Sequence, residues 1–182
     1  AFAQCENLES IVLAETVTMI GGSCFEGDKK LQNVIIPSAW TTIGSSAFAY
    51  CSSLTSINIP DGITVIPYSC FSSCTEMSTI TGCKNVSSIG EYAFANSHLT
   101  SYPFGNSLKS IDRSAFQYSY LVSVTIPGSV RTIGEYAFYA CSYLEEVIFE
   151  EGNTFVGSHM FLRCKQLSKV SLASTITRID YG

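Results

Sequence analysis

The chain has 182 residues, 46% hydrophobic and 14% charged, with a formal net charge of −5. So much apolar material with so little charge excludes a disordered chain, and no apolar run approaches the roughly 20 residues needed to span a membrane. The ten Lys and Arg are scattered from Lys29 to Arg178 without a basic stripe, which argues against a nucleic-acid surface, since such a surface clusters cations to displace counterions.

A phenylalanine recurs at Phe2, Phe25, Phe48, Phe71, Phe94, Phe116, Phe138 and Phe161, at intervals of 23, 23, 23, 23, 22, 22 and 23 residues. A fixed period in this range is the mark of a solenoid. From each Phe to the next, the same elements follow in the same order. A polar turn leads to Leu8, Leu31, Leu54, Met77, Leu99, Leu121, Leu144 and Leu167. Three residues later come Ile11, Val34, Ile57, Ile80, Tyr102, Val124, Val147 and Val170, and two further on Leu13, Ile36, Ile59, Gly82, Phe104, Ile126, Phe149 and Leu172. This L-x-x-I-x-I pattern ends in period-two alternation, which predicts a short strand with one buried face. Pro37, Pro60 and Pro127 end it, because proline cannot donate to a ladder.

A second apolar pair follows, as in Val17/Ile20, Trp40/Ile43, Ile63/Ile66 and Val130/Ile133. Gly21, Gly44, Gly90, Gly134 and Gly157 come next, where a turn is expected to need positive φ. A small residue and the next Phe close the repeat, leaving no room for a helix of ordinary length. Each repeat is therefore one coil that cannot bury its apolar side alone. Stacked with parallel strands about 4.8 Å apart, about eight such coils make a rod roughly 40 Å long. No shift in composition marks a linker, so residues 1–182 are expected to form one domain.

The middle departs from the pattern. Gly82 replaces a core aliphatic, Tyr102 enters the Ile column and Pro103 sits inside the strand, while Asn153 later replaces a Val. Drift in a tolerant array explains this, and so does a change of curvature or a binding notch. At the ends, Ala1 begins inside a repeat and Gly182 stops just short of another. Neither end reads as a polar cap, so the expectation is a fragment of a longer array. Its terminal coils expose core groups around Phe2, Leu8, Ile176 and Ile179, which end-to-end self-association would cover.

Eight cysteines invite a disulfide reading, but the frame argues for structural thiols. Cys5, Cys51, Cys74, Cys141 and Cys164 all lie three residues after the marker Phe, in a column that Asp28, Ser97 and Ser119 fill elsewhere. Such a ladder of small groups satisfies backbone polar groups at a corner. Cys24 and Cys70 share a small buried column with Ala47 and Ala93, and Cys83 stands outside both. Side chains in one column run parallel and not toward each other, which disfavours bridges. No second pair with metal spacing accompanies Cys70 and Cys74, so no metal site is expected. His98 and His159 are three repeats apart, roughly 15 Å, and cannot share a metal or a triad; both read as surface residues. G-x-G-x-x-G, G-x-S-x-G and H-E-x-x-H are all absent. Glu145 and Glu146 are adjacent in a strand and point to opposite faces, a poor arrangement for acid–base work. Nothing here reads as an enzyme or calls for a cofactor.

The blocks LQNVIIPSAWTTIGSSAFAYC (Leu31 to Cys51), LTSINIPDGITVIPYSCFSSC (Leu54 to Cys74) and LVSVTIPGSVRTIGEYAFYAC (Leu121 to Cys141) resemble the BspA-like leucine-rich repeat family. The resemblance covers essentially the whole chain. It implies a right-handed leucine-rich repeat solenoid with a parallel sheet on its concave face. It also implies a surface or secreted protein of the kind bacteria and protists use for adhesion to host-surface, extracellular-matrix or other cell-surface proteins. The family brings no catalytic motif, and its ligand-binding residues vary, so none carries over by position.

Alternation sends two rows outward from the strands. One is Ser10, Asn33, Ser56, Thr79, Ser101, Ser123, Glu146 and Lys169; the other is Val12, Ile35, Asn58, Thr81, Pro103, Thr125, Ile148 and Ser171. A solvated sheet rich in Thr has this composition, and so does the extended binding face of a solenoid. Local contrast singles out the C-terminal half. There Glu146, Ile148 and Lys169 bring an opposite-charge pair and an apolar knob, and Tyr120 and Tyr143, one column in consecutive repeats, are close enough to stack on the rim. These five are the expected binding residues of a protein-binding module. The competing reading is a spacer that displays another domain.

Overall fold

The structure, a computed structural model, describes residues 1–181 as a β-solenoid with no α-helix among them. Its strands are β1 (Ser10–Val12), β2 (Met19–Ile20), β3 (Asn33–Ile35), β4 (Thr42–Ile43), β5 (Ser56–Ile59), β6 (Val65–Ile66), β7 (Thr79–Gly82), β8 (Ser88–Ile89), β9 (Ser110–Ile111), β10 (Ser123–Ile126), β11 (Thr132–Ile133), β12 (Glu146–Phe149), β13 (Phe155–Val156), β14 (Lys169–Ser171) and β15 (Arg178–Ile179). The marker phenylalanines bound seven complete turns with a partial one beyond, a correction to the eight coils expected from counting markers.

Two strand faces and a corner make up each turn. β1, β3, β5, β7, β10, β12 and β14 form the longer-strand face, and the two-residue strands form the other, β9 among them. All ladders are parallel and offset by one coil, with Ser10 opposite Asn33 and Glu146 opposite Lys169. In β5 burial alternates strictly, Ile57 and Ile59 inward and Ser56 and Asn58 outward, as the period-two pattern requires.

The core is threaded by the phenylalanines. From Phe2 to Phe161 their rings stack coil upon coil, with centroids 5.2–5.5 Å apart and planes within 3–14° of parallel. Phe25 through Phe138 are completely buried, and Trp40 fills the neighbouring column. The backbone at this corner is equally regular. The N–H of each Phe donates to the carbonyl before the next Phe, as from Phe71 to Ala93 and from Phe116 to Ala137, both at 2.8 Å. This bond is present at all seven joints, whereas the longer strands are laddered at four of them and the shorter strands at five. No ladder joins β3 to β5 or β4 to β6; besides the corner, that joint has the Thr55 N–H donating to the Gln32 carbonyl at 3.3 Å.

Turning this corner requires left-handed backbone. The residues two before and two after the marker Phe have positive φ, among them Ser46 (55°), Tyr50 (61°), Tyr136 (61°) and Ala140 (54°). The glycine column expected to supply positive φ does not: the positive-φ glycines are Gly27, Gly82 and Gly152. Close approach is the reason at Gly44, Gly90 and Gly134 instead. A Cβ on Gly44 would lie 2.2 Å from the Gly22 nitrogen, and one on Gly134 would lie 2.3 Å from the Arg113 nitrogen.

The irregular middle has a definite shape. The stretch 99–104 forms no strand, because Pro103 has no N–H to give and Tyr102 turns into the core. Its ring packs 5.3 Å from Phe94, 4.7 Å from Phe104 and 5.3 Å from Phe116. The shorter-strand sheet β6–β8–β9–β11 runs unbroken past this gap. Asn153 is also buried, donating to the Pro127 carbonyl at 3.0 Å.

Candidate functional site

One recess of the surface arises from turn length. Six residues separate the marker Phe from the Leu column in most coils, as from Phe48 to Leu54, but only five from Phe94 to Leu99 and from Phe116 to Leu121. In the longer turns the Leu N–H donates to the ladder residue three before it, as from Leu54 to Cys51 at 3.1 Å; Leu99 and Leu121 lack that bond. Two adjacent coils have thus each lost a residue from the same turn, and the edge falls back there.

The resulting groove holds about 410 Å³ and is lined by Asn96, His98, Tyr118, Tyr120, Ser142 and Tyr143, among others, with no Asp, Glu, Lys or Arg in its wall. Three rings run along it. His98 lies 4.1 Å from Tyr120, and Tyr120 stacks on Tyr143 at 4.8 Å with 23° between planes. Such a wall can take a flat apolar or aromatic group and offers phenol and amide groups at its edge.

The five expected binding residues fall into two sets. Tyr120 and Tyr143 are in the groove, 37% and 46% exposed. Glu146, Ile148 and Lys169 are on the longer-strand face, where Glu146 and Lys169 form a salt bridge and Ile148 is half-buried between Thr125 and Ser171. None of these three lines the groove. His98 was missed by sequence reasoning, though it shares the column just before Leu with Tyr120 and Tyr143. The five-residue spacing was the other signal. A smaller recess of about 310 Å³ opens where the middle strand is lost, beside Ser101, Pro103, Phe104 and Thr125.

The cysteine column holds the corner together. The thiols of Cys51, Cys74, Cys141 and Cys164 donate to the carbonyls of Phe25, Phe48, Phe116 and Phe138 at 3.0–3.1 Å. Burial pushes the Cys51 thiol up to about 12 and the Cys83 thiol to about 11, so both stay protonated at neutral pH. All eight cysteines are free thiols in the structure. Among the described residues no group of three His, Cys, Asp or Glu side chains is placed to hold a metal ion.

A parallel β-solenoid with a Leu and Phe frame of this period is a leucine-rich repeat protein. The chain belongs to the BspA-type leucine-rich repeat family: the BspA type leucine rich repeat region matches it in six copies, over residues 1–122 and 84–182. Among solved structures, a leucine-rich repeat protein from Bacteroides ovatus is similar at 25% identity with a TM-score of 0.86, covering 94% of this chain and 44% of its own. This chain therefore spans less than half of that protein. The leucine-rich repeat protein of T. pallidum is 26% identical with a TM-score of 0.61, covering 90% of this chain and 69% of its own. The pneumococcal vaccine antigen PcpA shares the fold at 16% identity, with a TM-score of 0.55 over 95% of this chain and 56% of its own. No curated protein matches the chain.

Proposed function

We propose that the chain is a non-catalytic protein-binding module, the leucine-rich repeat ectodomain of a cell-surface or secreted adhesin-like protein. The observation that supports this most is the neutral groove with its His98, Tyr120 and Tyr143 rings. Elsewhere the outward rows are mostly small polar groups, with Val12 and Ile35 as lone exposed aliphatics, whereas interfaces concentrate their energy in aromatic anchors seated in pockets. Family membership supports the surface location and the protein ligand. In this reading a side chain of a host-surface, matrix or other cell-surface protein seats in the groove. Ile148 and the Glu146–Lys169 pair flank it on the sheet; as an exposed ion pair the latter adds only about 0–1 kcal/mol.

The test is capture of purified matrix and cell-surface proteins on the immobilised chain. Tyr120→Ala with Tyr143→Ala is expected to weaken the captured partner about tenfold or more while the thermal melt is kept. Inserting one Ser after Ser97 and another after Ser119 restores the six-residue turns, closes the groove and is expected to have the same effect. Undiminished binding by both variants would refute the groove as the site, and the absence of any captured protein would favour the spacer reading.

A further inference from the structure

The chain has four arginines. Arg131 donates to the carbonyls of Gly128 and Val130, and Arg178 pairs with Asp180. Arg113 and Arg163 have neither a hydrogen-bond acceptor nor a carboxylate partner among the described residues. These two line the same recess, of about 320 Å³, on the Phe corner.

Aromatic contacts hold both side chains. The Arg113 guanidinium lies over Tyr136 at 5.8 Å, and that of Arg163 over Tyr139 at 5.7 Å. Tyr136 and Tyr139 brace each other edge to face at 5.7 Å, and His159 stacks on Tyr136 at 5.2 Å. A cation–π contact orients a guanidinium without using its N–H donors, of which each has five. Glu91 and Glu135 occupy Arg113's column in the two adjacent coils, yet neither forms a salt bridge to it; Glu135 turns instead toward the Tyr136 hydroxyl and His159, 3.2 Å from Nδ1. In a chain of net charge −5, two oriented and unpaired guanidiniums in one recess are a site for anions. Along the rod, two coil spacings, roughly 10 Å, separate the coils that carry them. The space between them is walled by the phenols of Tyr92, Tyr136 and Tyr139 and the amide of Gln117, all neutral hydrogen-bonding groups. Its size is at the lower end of the ~300–1,000 Å³ typical of small-ligand sites.

The backbone here offers a peptide no strand edge. Ser114, Phe116, Tyr118 and Ala140 all donate their N–H groups to the next coil, so no free edge remains for a strand to join. Only side-chain groups are on offer, cationic at two points and hydroxyl-like between. We propose that this recess binds an acidic saccharide. Its carboxylate or sulfate groups bind Arg113 and Arg163, where planar bidentate contacts are available, and its hydroxyls bind the phenols and Gln117. The recess shares no lining residue with the groove above, so the two assignments stand or fall separately.

Titration calorimetry with four probes tests it: a heparin-derived tetrasaccharide for sulfate, sialyllactose for carboxylate, lactose as the neutral sugar, and a sulfotyrosine peptide. The expected result is binding of at least one acidic sugar and not of lactose, weakening with salt. Arg113→Gln and Arg163→Gln should each lower affinity about tenfold, and Arg131→Gln should leave it unchanged. Should either Gln variant fold poorly, Lys at the same position keeps the charge, loses the planar fork and is expected to weaken binding as well. Failure of both acidic sugars to bind, equal losses in all three arginine variants, or tighter binding of the peptide than of either sugar would each overturn the proposal.

Discussion

Asp28 occupies the corner column that holds cysteine in five coils and serine in two. Where cysteine stands, its S–H reaches a carbonyl one coil back, as from Cys74 to Phe48 at 3.1 Å. A carboxylate cannot donate. Asp28 instead accepts from the Cys5 N–H at 2.8 Å, and its other oxygen is buried without a partner. Burial raises its carboxyl pKa, with the Cys5 N–H and the chain's amino terminus pulling the other way. A carboxyl whose folded pKa is raised holds its proton more tightly in the native state, so stability falls as pH climbs through the window above about 3.9. Asp28→Cys is therefore expected to stabilise the protein at pH 7 by about 1–3 kcal/mol. The advantage should shrink as pH falls toward about 4, read from denaturant melts at both pH values. An advantage that did not change with pH would acquit the carboxylate. The column's role was legible in the sequence because the cysteines recur; the orphaned oxygen was not, since hydrogen-bond geometry has no counterpart in spacing.

Turns and strands carry a different lesson, because the same sequence mark can serve two physical needs. The glycine after the Ile column reads as a positive-φ position but is a close-approach position, and the two cannot be told apart without the neighbouring coil. The distinction is measurable within one column. Gly134→Ala forces a Cβ to within 2.3 Å of the Arg113 nitrogen, whereas Gly21→Ala meets nothing within 4 Å. The first is expected to destabilise by about 1–3 kcal/mol and the second by less than about 0.5 kcal/mol, compared by thermal melts. Equal effects would contradict the close-approach account. The L-x-x-I-x-I strands were legible, since alternation maps directly onto faces. The lost strand at 99–104 was foreshadowed by Pro103, and the inward place of Tyr102 by its position in the Ile column. The groove stayed hidden for a third reason: it is made by two absent residues, and the sequence records them only as a Phe-to-Leu spacing of five. The two free arginines were equally invisible, because whether a charge meets a partner depends on which coils neighbour it.

At the scale of the whole rod, burial is graded from the ends inward. Phe2 is 42% and Ile179 66% exposed, against 3% for Ile57 and 0% for Val147. Stability in a stacked array is a sum over neighbours, so coils with one neighbour open first. Amide exchange is expected to begin around β1 and β15 and to be slowest around β12, which is laddered on both sides, followed by mass spectrometry. Uniform protection along the chain would refute this grading. The overall architecture was the most legible level, because a period of 22–23 residues repeated to the end leaves few alternatives. What the period concealed is that the joints are unequally fastened. The Phe corner is hydrogen-bonded at every joint, while neither sheet is continuous along the chain. Mechanically the molecule is a bound book, stiff along one spine and free to fan along its page edges. The easiest page to turn lies between β3 and β5, where neither sheet is laddered and the Thr55-to-Gln32 backbone bond backs up the spine. A ligand that tugs on one end of such a rod will flex it open at that page well before it draws the rod any longer.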